Sequence, residues 1–265
     1  MAGMNLPTPP HLFILTGASR GMGLAMARQL LRPGHTLLCI SRRTNDELAS
    51  LAQAQGVHLE QWSQDLADSQ EAAERLERWL GSLHATELDS ATLINNAGVI
   101  PAISALGGIA TDDLTNALRV GLESPLALTS VFLRVTGRWV QQGWRGPRKV
   151  LNISSGLGRR AMASQAAYCT AKAGMDMYSQ CVALEEAQHP NGARIVSLAP
   201  GVIDTDMQVQ LRSGDPAAFP DLGNFIGMKE RGQLTSPEAA AERVLAYLDR
   251  ADFGSKVVAD VRDPA

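Results

Sequence analysis

The chain has 265 residues, of which 45% are hydrophobic and 19% charged, with a formal net charge of −3. That length holds one large α/β domain or two small ones, and the composition is that of a globular protein. The charge balance gives no broad cationic field for nucleic acid, and no apolar run approaches the ~18 residues of a membrane span. Arg42–Arg43, Arg159–Arg160 and "RGPRK" (145–149) are local basic spots that are either solvated surface or a phosphate site. Cys39, Cys169 and Cys181 form no CxxC pair, and the five histidines have no ligand-like spacing, so neither a disulfide framework nor a metal site is expected. "MAGMNLPTPPH" lacks a signal-peptide pattern and reads as a flexible leader over 1–10, which points to a cytoplasmic protein.

In chain order, short apolar runs alternate with amphipathic stretches. "HLFILT" (11–16) leads into the helix-like "GLAMARQLL" (23–31), then "TLLCIS" (36–41) and "NDELASLAQAQ" (45–55). "VHLEQW" (57–62), the helix-like "SQEAAERLERWLGSL" (69–83) and "ATLINN" (91–96) follow. A long helical stretch runs from Thr111 to Gln141, interrupted or offset near Pro125, and "KVLNIS" (149–154) comes next. After a helix around Tyr168 come "ARIVSLA" (193–199), the helix-like "SPEAAAERVLAYLDR" (236–250) and a last run, "KVVADV" (256–261). Seven strands separated by helices predict a parallel sheet covered on both faces, because the runs are apolar throughout rather than alternating. No repeat or linker divides residues 11–265, which read as one domain. Residues 204–234, weakly periodic and rich in Gly, Pro and Met, read as a loop acting as a lid or binding element.

"ILTGASRGMG" joins the first strand directly to the first helix. Gly17, Gly21 and Gly23 permit a tight turn and close backbone approach, and Ser19, Arg20 and Met22 share that turn. A helix N-terminus there offers free N–H groups to a pyrophosphate. The second strand ends at Ser41–Arg42, where an acidic residue would accept bonds from a ribose diol. Arg42 and Arg20 instead suit a 2′-phosphate, and one such charge-assisted bond, about 1.5–3 kcal/mol, gives a tenfold or greater preference for NADP. The alternative is a pair of solvated arginines.

Tyr168 stands four residues before Lys172 in "QAAYCTAKAG" (165–174), so a helix puts both on one face. The spacing fits ordinary packing of a ring on a lysine stem, and equally a proton donor whose pKa a neighbouring ammonium lowers.

Together "TGASRGMG" (16–23), Asp65–Leu66, "NNAG" (95–98), Ser155, "YCTAK" (168–172) and "PGVIDT" (200–205) resemble the short-chain dehydrogenase/reductase family over nearly the whole chain from His11. The resemblance implies a single Rossmann-like, doubly wound oxidoreductase domain that binds NADP(H). It implies that Asp65 and Leu66 flank the adenine, that Asn95, Ala97 and Gly98 line the cofactor cleft, and that Pro200, Gly201, Ile203 and Thr205 form the carboxamide loop. Tyr168 is then the proton donor, Lys172 holds the nicotinamide ribose and favours the tyrosinate, and Ser155 bonds the substrate oxygen. A small-molecule carbonyl substrate and a homodimer or homotetramer are likewise implied. One departure is Gly121, where many relatives carry an asparagine of a proton relay; it leaves open a non-catalytic NADP-binding protein. An alcohol dehydrogenase working oxidatively with NAD is a further alternative, disfavoured by Arg42.

Within that family, "NISSGLG" (152–158), "APGVIDTDMQ" (199–208) and "DFGSKVVADVRD" (252–263) resemble the sepiapterin reductases. That likeness implies Asp260 as an anchor for a pterin edge; the other reading of Asp260 is a polar end of the last strand. Similar bacterial members reduce one carbonyl of a vicinal diketone such as benzil. Leu157, Met162, Met207, Phe219, Phe225 and Met228 are candidates for an adaptable apolar wall or for plain core.

Overall fold

A computed structural model describes residues 10–264, so the leader expected over 1–10 lies, but for Pro10, outside the described residues. Seven strands form one parallel sheet: β1 (His11–Thr16), β2 (His35–Ser41), β3 (His58–Ser63), β4 (Ser90–Asn95), β5 (Arg148–Ile153), β6 (Arg194–Ala199) and β7 (Val258–Asp260). Their spatial order is β3-β2-β1-β4-β5-β6-β7. The order reverses beside β1, and a doubly wound sheet opens its ligand crevice there, outside the carboxyl ends of the strands.

The strands read as continuous apolar runs because successive side chains enter different helical layers. Phe13 and Leu15 of β1, with Leu37 and Cys39 of β2, face α1 (Gly21–Leu30), α2 (Asp46–Gln55) and α9 (Pro237–Leu248). Leu12, Ile14, Leu38 and Ile40 face α3 (Ser69–Ser82), α5 (Ser124–Gln141) and α6 (Ala166–Glu186). Cys39 is the buried small hydrophobe its apolar run predicts, and burial pushes its thiol up to about 12.

Helix boundaries follow local chemistry. Asn45 caps α2, its Oδ1 accepting from Leu48 N at 2.8 Å, and Gly56 ends the helix at φ +64°. Ser236 caps α9 ahead of Pro237. The long helical stretch is offset just before Pro125: α4 (Thr111–Leu118) passes through one widened turn, Arg119–Glu123, into α5. At this bend Gly121 faces α6 so closely that a Cβ would lie 3.1 Å from Ala171 Cβ, and one on Gly174 would lie 2.8 Å from Leu122. The small residues of α6 thus receive a neighbouring element of the same chain.

Residues 204–234 correct the loop expectation. They fold into α7 (Asp206–Arg212) and α8 (Leu222–Glu230) around Phe219, Leu222 and Phe225. Both helices are too short for helical periodicity to show in the sequence. The last strand is also shorter than the expected 256–261, pairing only through Ser197–Ala199 of β6.

Candidate active site

Parallel strands place all their carboxyl ends at one edge, and a cleft of about 1270 Å³ opens there. The glycine turn leaves β1 with Gly17 at φ +71° and Gly21 at φ +55°. A Cβ on Gly23 would collide with the Gly17 carbonyl, so the turn folds against α1 only without side chains. Gly17, Ser19, Arg20, Gly21, Met22 and Gly23 all line the cleft, as do Ser41, Arg42, Asp65, Leu66, Ala97 and Gly98. Pro200, Gly201, Ile203 and Thr205 close it from the end of β6. A cradle that excludes any Cβ, at a helix N-terminus, fits a dinucleotide pyrophosphate. Ser41 adds a buried hydroxyl without a protein partner, next to the exposed Arg42.

Two cofactor-side expectations change. Asn95 does not reach the cleft: it is 1% exposed, and its Nδ2 donates to Thr129 Oγ1 (3.0 Å) and Asn152 Oδ1 (2.8 Å). Strand alternation turns Asn95 into the helical layer, while Asn96 takes the lining position and its Nδ2 donates to the Thr16 and Gly17 carbonyls. Arg20 lines the cleft, but its guanidinium is paired across the mouth with Asp206 at the start of α7.

The floor comes from β5 and α6. Ser155 follows β5, with its Oγ accepting from Leu157 N at 3.1 Å. Tyr168 and Lys172 lie one turn apart on α6, with Lys172 Nζ 5.7 Å from the Tyr168 ring centroid. Lys172 is 4% exposed and donates to the Ile153 carbonyl at 2.6 Å. Burial brings its ammonium from 10.5 down to about 8, with Asp176 opposing. Burial pushes the Tyr168 phenol up, partly offset by the hydrogen bond with Ser155, and the lowering expected from Lys172 is not found. A phenol kept neutral is the form that donates a proton.

At the far end, Leu157, Met162, Met207, Phe225 and Met228 line the cleft. Phe219 lies behind them, 1% exposed and stacked on Phe225 with ring centroids 5.5 Å apart, so it is core. Asp260 lines the cleft with its carboxylate already taken by Arg262, at 2.7 Å from Nε and 2.6 Å from Nη2. That guanidinium holds the Asp260 carboxyl below the usual carboxylate range. Sequence reasoning passed over Gln165 and Gln208, two buried amides in the cleft wall with unpartnered atoms. Gln165 stands three residues before Tyr168, a helical spacing that was open to reading.

A glycine cradle at the switch point, with a tyrosine and a lysine one turn apart beside it, defines a dinucleotide-binding α/β protein. The short chain dehydrogenase family model matches residues 11–216. A benzil reductase ((S)-benzoin forming) from Bacillus cereus is 37% identical over 240 residues, covering 91% of this chain and 94% of the relative. A sepiapterin reductase from Xenopus tropicalis is 34% identical over 249 residues, covering 90% and 91%. Among solved structures, a 3-oxoacyl-[acyl-carrier protein] reductase from Brucella melitensis in complex with NAD shares the fold, with a TM-score of 0.77 at 19% identity over 96% of both chains. The chain belongs to the short-chain dehydrogenase family.

Proposed function

We propose that the protein is an NADPH-dependent reductase acting on one ketone of a 1,2-dicarbonyl. The observation that carries this reading is the meeting of Ser155, Tyr168 and Lys172 beside the glycine cradle, with an apolar wall opposite. NADPH, when bound, supplies the hydride that adds to the carbonyl carbon. The Ser155 hydroxyl donates to the carbonyl oxygen and orients it, and the Tyr168 hydroxyl gives that oxygen its proton. The carbonyl π bond opens, a hydroxyl forms, and Tyr168, left as tyrosinate, regains a proton from solvent. Lys172, cationic at neutral pH, stabilises the negative charge that develops on Tyr168. Asp65 and Leu66 flank the adenine end, Ala97, Gly98 and residues 200–205 enclose the nicotinamide end, and Arg42 with Ser41 receives the 2′-phosphate. Both named relatives reduce carbonyl compounds, in accord with this chemistry.

Two substrate types fit the family likeness, and Asp260 separates them. A pterin anchor needs a free carboxylate, so a pterin would have to displace the largely exposed Arg262 side chain that binds Asp260 bidentate. The apolar wall of methionines and Phe225 suits a hydrophobic diketone. The test is NADPH oxidation by the purified protein with benzil and sepiapterin at matched concentrations. Preferential turnover of benzil is expected. Preferential turnover of sepiapterin would return Asp260 to the substrate, and silence with both, despite NADPH binding, would overturn the reductase reading.

A further inference from the structure

A carboxylate buried on the catalytic helix requires an explanation, because desolvating a charge is costly unless partners compensate. Asp176 is 5% exposed and stands one helical turn beyond Lys172 on the same face of α6. Its Oδ1 accepts from Ser154 Oγ and from Ser197 Oγ, each at 2.6 Å. Its Oδ2 accepts from Arg159 Nε at 3.0 Å, and Arg159 Nη2 donates onward to the Ala259 carbonyl at 3.0 Å. One side chain thus ties the ends of β5, β6 and β7 to the helix that carries Tyr168 and Lys172.

The turn it holds is the one that presents Ser155. Ser154 is the residue before it, and Arg159 closes the turn four residues after it. The fit is close: a Cβ on Gly158 would lie 2.9 Å from the Lys172 carbonyl oxygen and 3.0 Å from Asp176 Oδ2. From its own helix Lys172 meets the Tyr168 ring and the Asp176 charge, and Arg159, from the turn after β5, is bonded to that carboxylate. The loop after β4 approaches Lys172 at Gly98, and the α4–α5 bend meets α6 through Gly121, while its Glu123 accepts from Ser69 and its Arg119 is exposed. Asp176 is therefore the negative charge set against a buried ammonium, and Arg159 limits how much of that charge Lys172 feels.

We propose that Asp176 is a positioning residue for the reduction: it clamps the Ser155 turn onto α6 and supplies the negative charge that keeps Lys172 cationic. This role rests on the carbonyl-reductase reading, in which Lys172 must be charged as Tyr168 releases its proton.

The test compares the full-length wild type with Asp176→Asn and Arg159→Met, measuring kcat/KM for benzil with NADPH across pH. Asp176→Asn should move the alkaline limb down by about one pH unit and lower kcat/KM at neutral pH about tenfold, mostly in kcat. Arg159→Met should move the same limb up, because the carboxylate keeps its charge and loses its guanidinium. Limbs that stay in place, or move in the same direction in both variants, would reduce Asp176 to a structural tie and overturn the proposal. A second readout needs no turnover. The chain has four lysines, so the NMR titration of 13Cε-lysine-labelled protein, compared with its Lys172→Met counterpart, follows Lys172 alone. Its midpoint should fall in Asp176→Asn and rise in Arg159→Met. If no carbonyl is reduced, the reductase reading fails while this titration still decides the role of Asp176. If Asp176→Asn does not fold, Arg159→Met alone decides it: an upward limb or a rising midpoint supports the clamp, and no movement overturns it.

Discussion

The floor and the rim of the cleft are built on different physics. On the floor, Lys172, Asp176, Ser154 and Ser197 are at most 5% exposed and are bonded to one another or to strand ends. At the rim, the ion pair of Arg20 with Asp206 joins side chains that are 65% and 72% exposed, and Lys229 reaches Asp204 from a half-exposed position. A solvated pair of this kind contributes about 0–1 kcal/mol, whereas removing one partner from a buried pair costs about 3–5 kcal/mol. In the proposed reaction the buried floor would hold the reacting geometry, whereas the solvated pairs at the rim cost little to break.

Substitutions sharpen this contrast in descending order. Gly23→Ala places a methyl against the Gly17 carbonyl, and overpacking of this kind costs about 1–3 kcal/mol. It should lower Tm by several degrees and abolish NADPH binding measured by fluorescence. Next comes pH: Lys172, held at about 8 rather than 10.5, loses its proton as pH rises through that value. Reduction should therefore decline above about pH 8, and a limb near 10 would place Lys172 in a far more solvated site than the structure shows. Arg42→Ala should weaken NADPH about tenfold or more and leave NADH nearly unchanged, read as two dissociation constants. Smallest is Asp206→Ala at the rim, which should shift Tm by no more than about 2 °C. A large loss there would break the comparison.

What the sequence made legible was local. The glycine turn, the Tyr168–Lys172 step and Ser155 are each decided within a few residues, and the strand runs betray a sheet buried on both faces. Whether Asn95 or Asn96 enters the cleft depends on how β4 is rotated against β1 and β5, which no neighbouring residue records. Asp176 looks like an ordinary helix residue until Ser154, Ser197 and Arg159 converge on it from distant elements. Asp260 shows the opposite case, since its competing partner Arg262 lies only two residues away, yet a strand end is needed to turn both side chains together. In 204–234, two helices of seven and nine residues are held by packing around Phe219 and Phe225 rather than by an amphipathic pattern.

The central claim is that the floor of the cleft delivers a proton from Tyr168 to a ketone while NADPH is oxidised. Its most direct test is benzil-dependent NADPH oxidation at neutral pH by the wild type and Tyr168→Phe side by side. NADPH binding is confirmed in both. Positioned acids contribute about 10²–10⁴-fold, so the variant should retain NADPH binding and lose at least about a hundredfold in kcat/KM. Equal rates in the two proteins would contradict the assignment of Tyr168 as the proton donor.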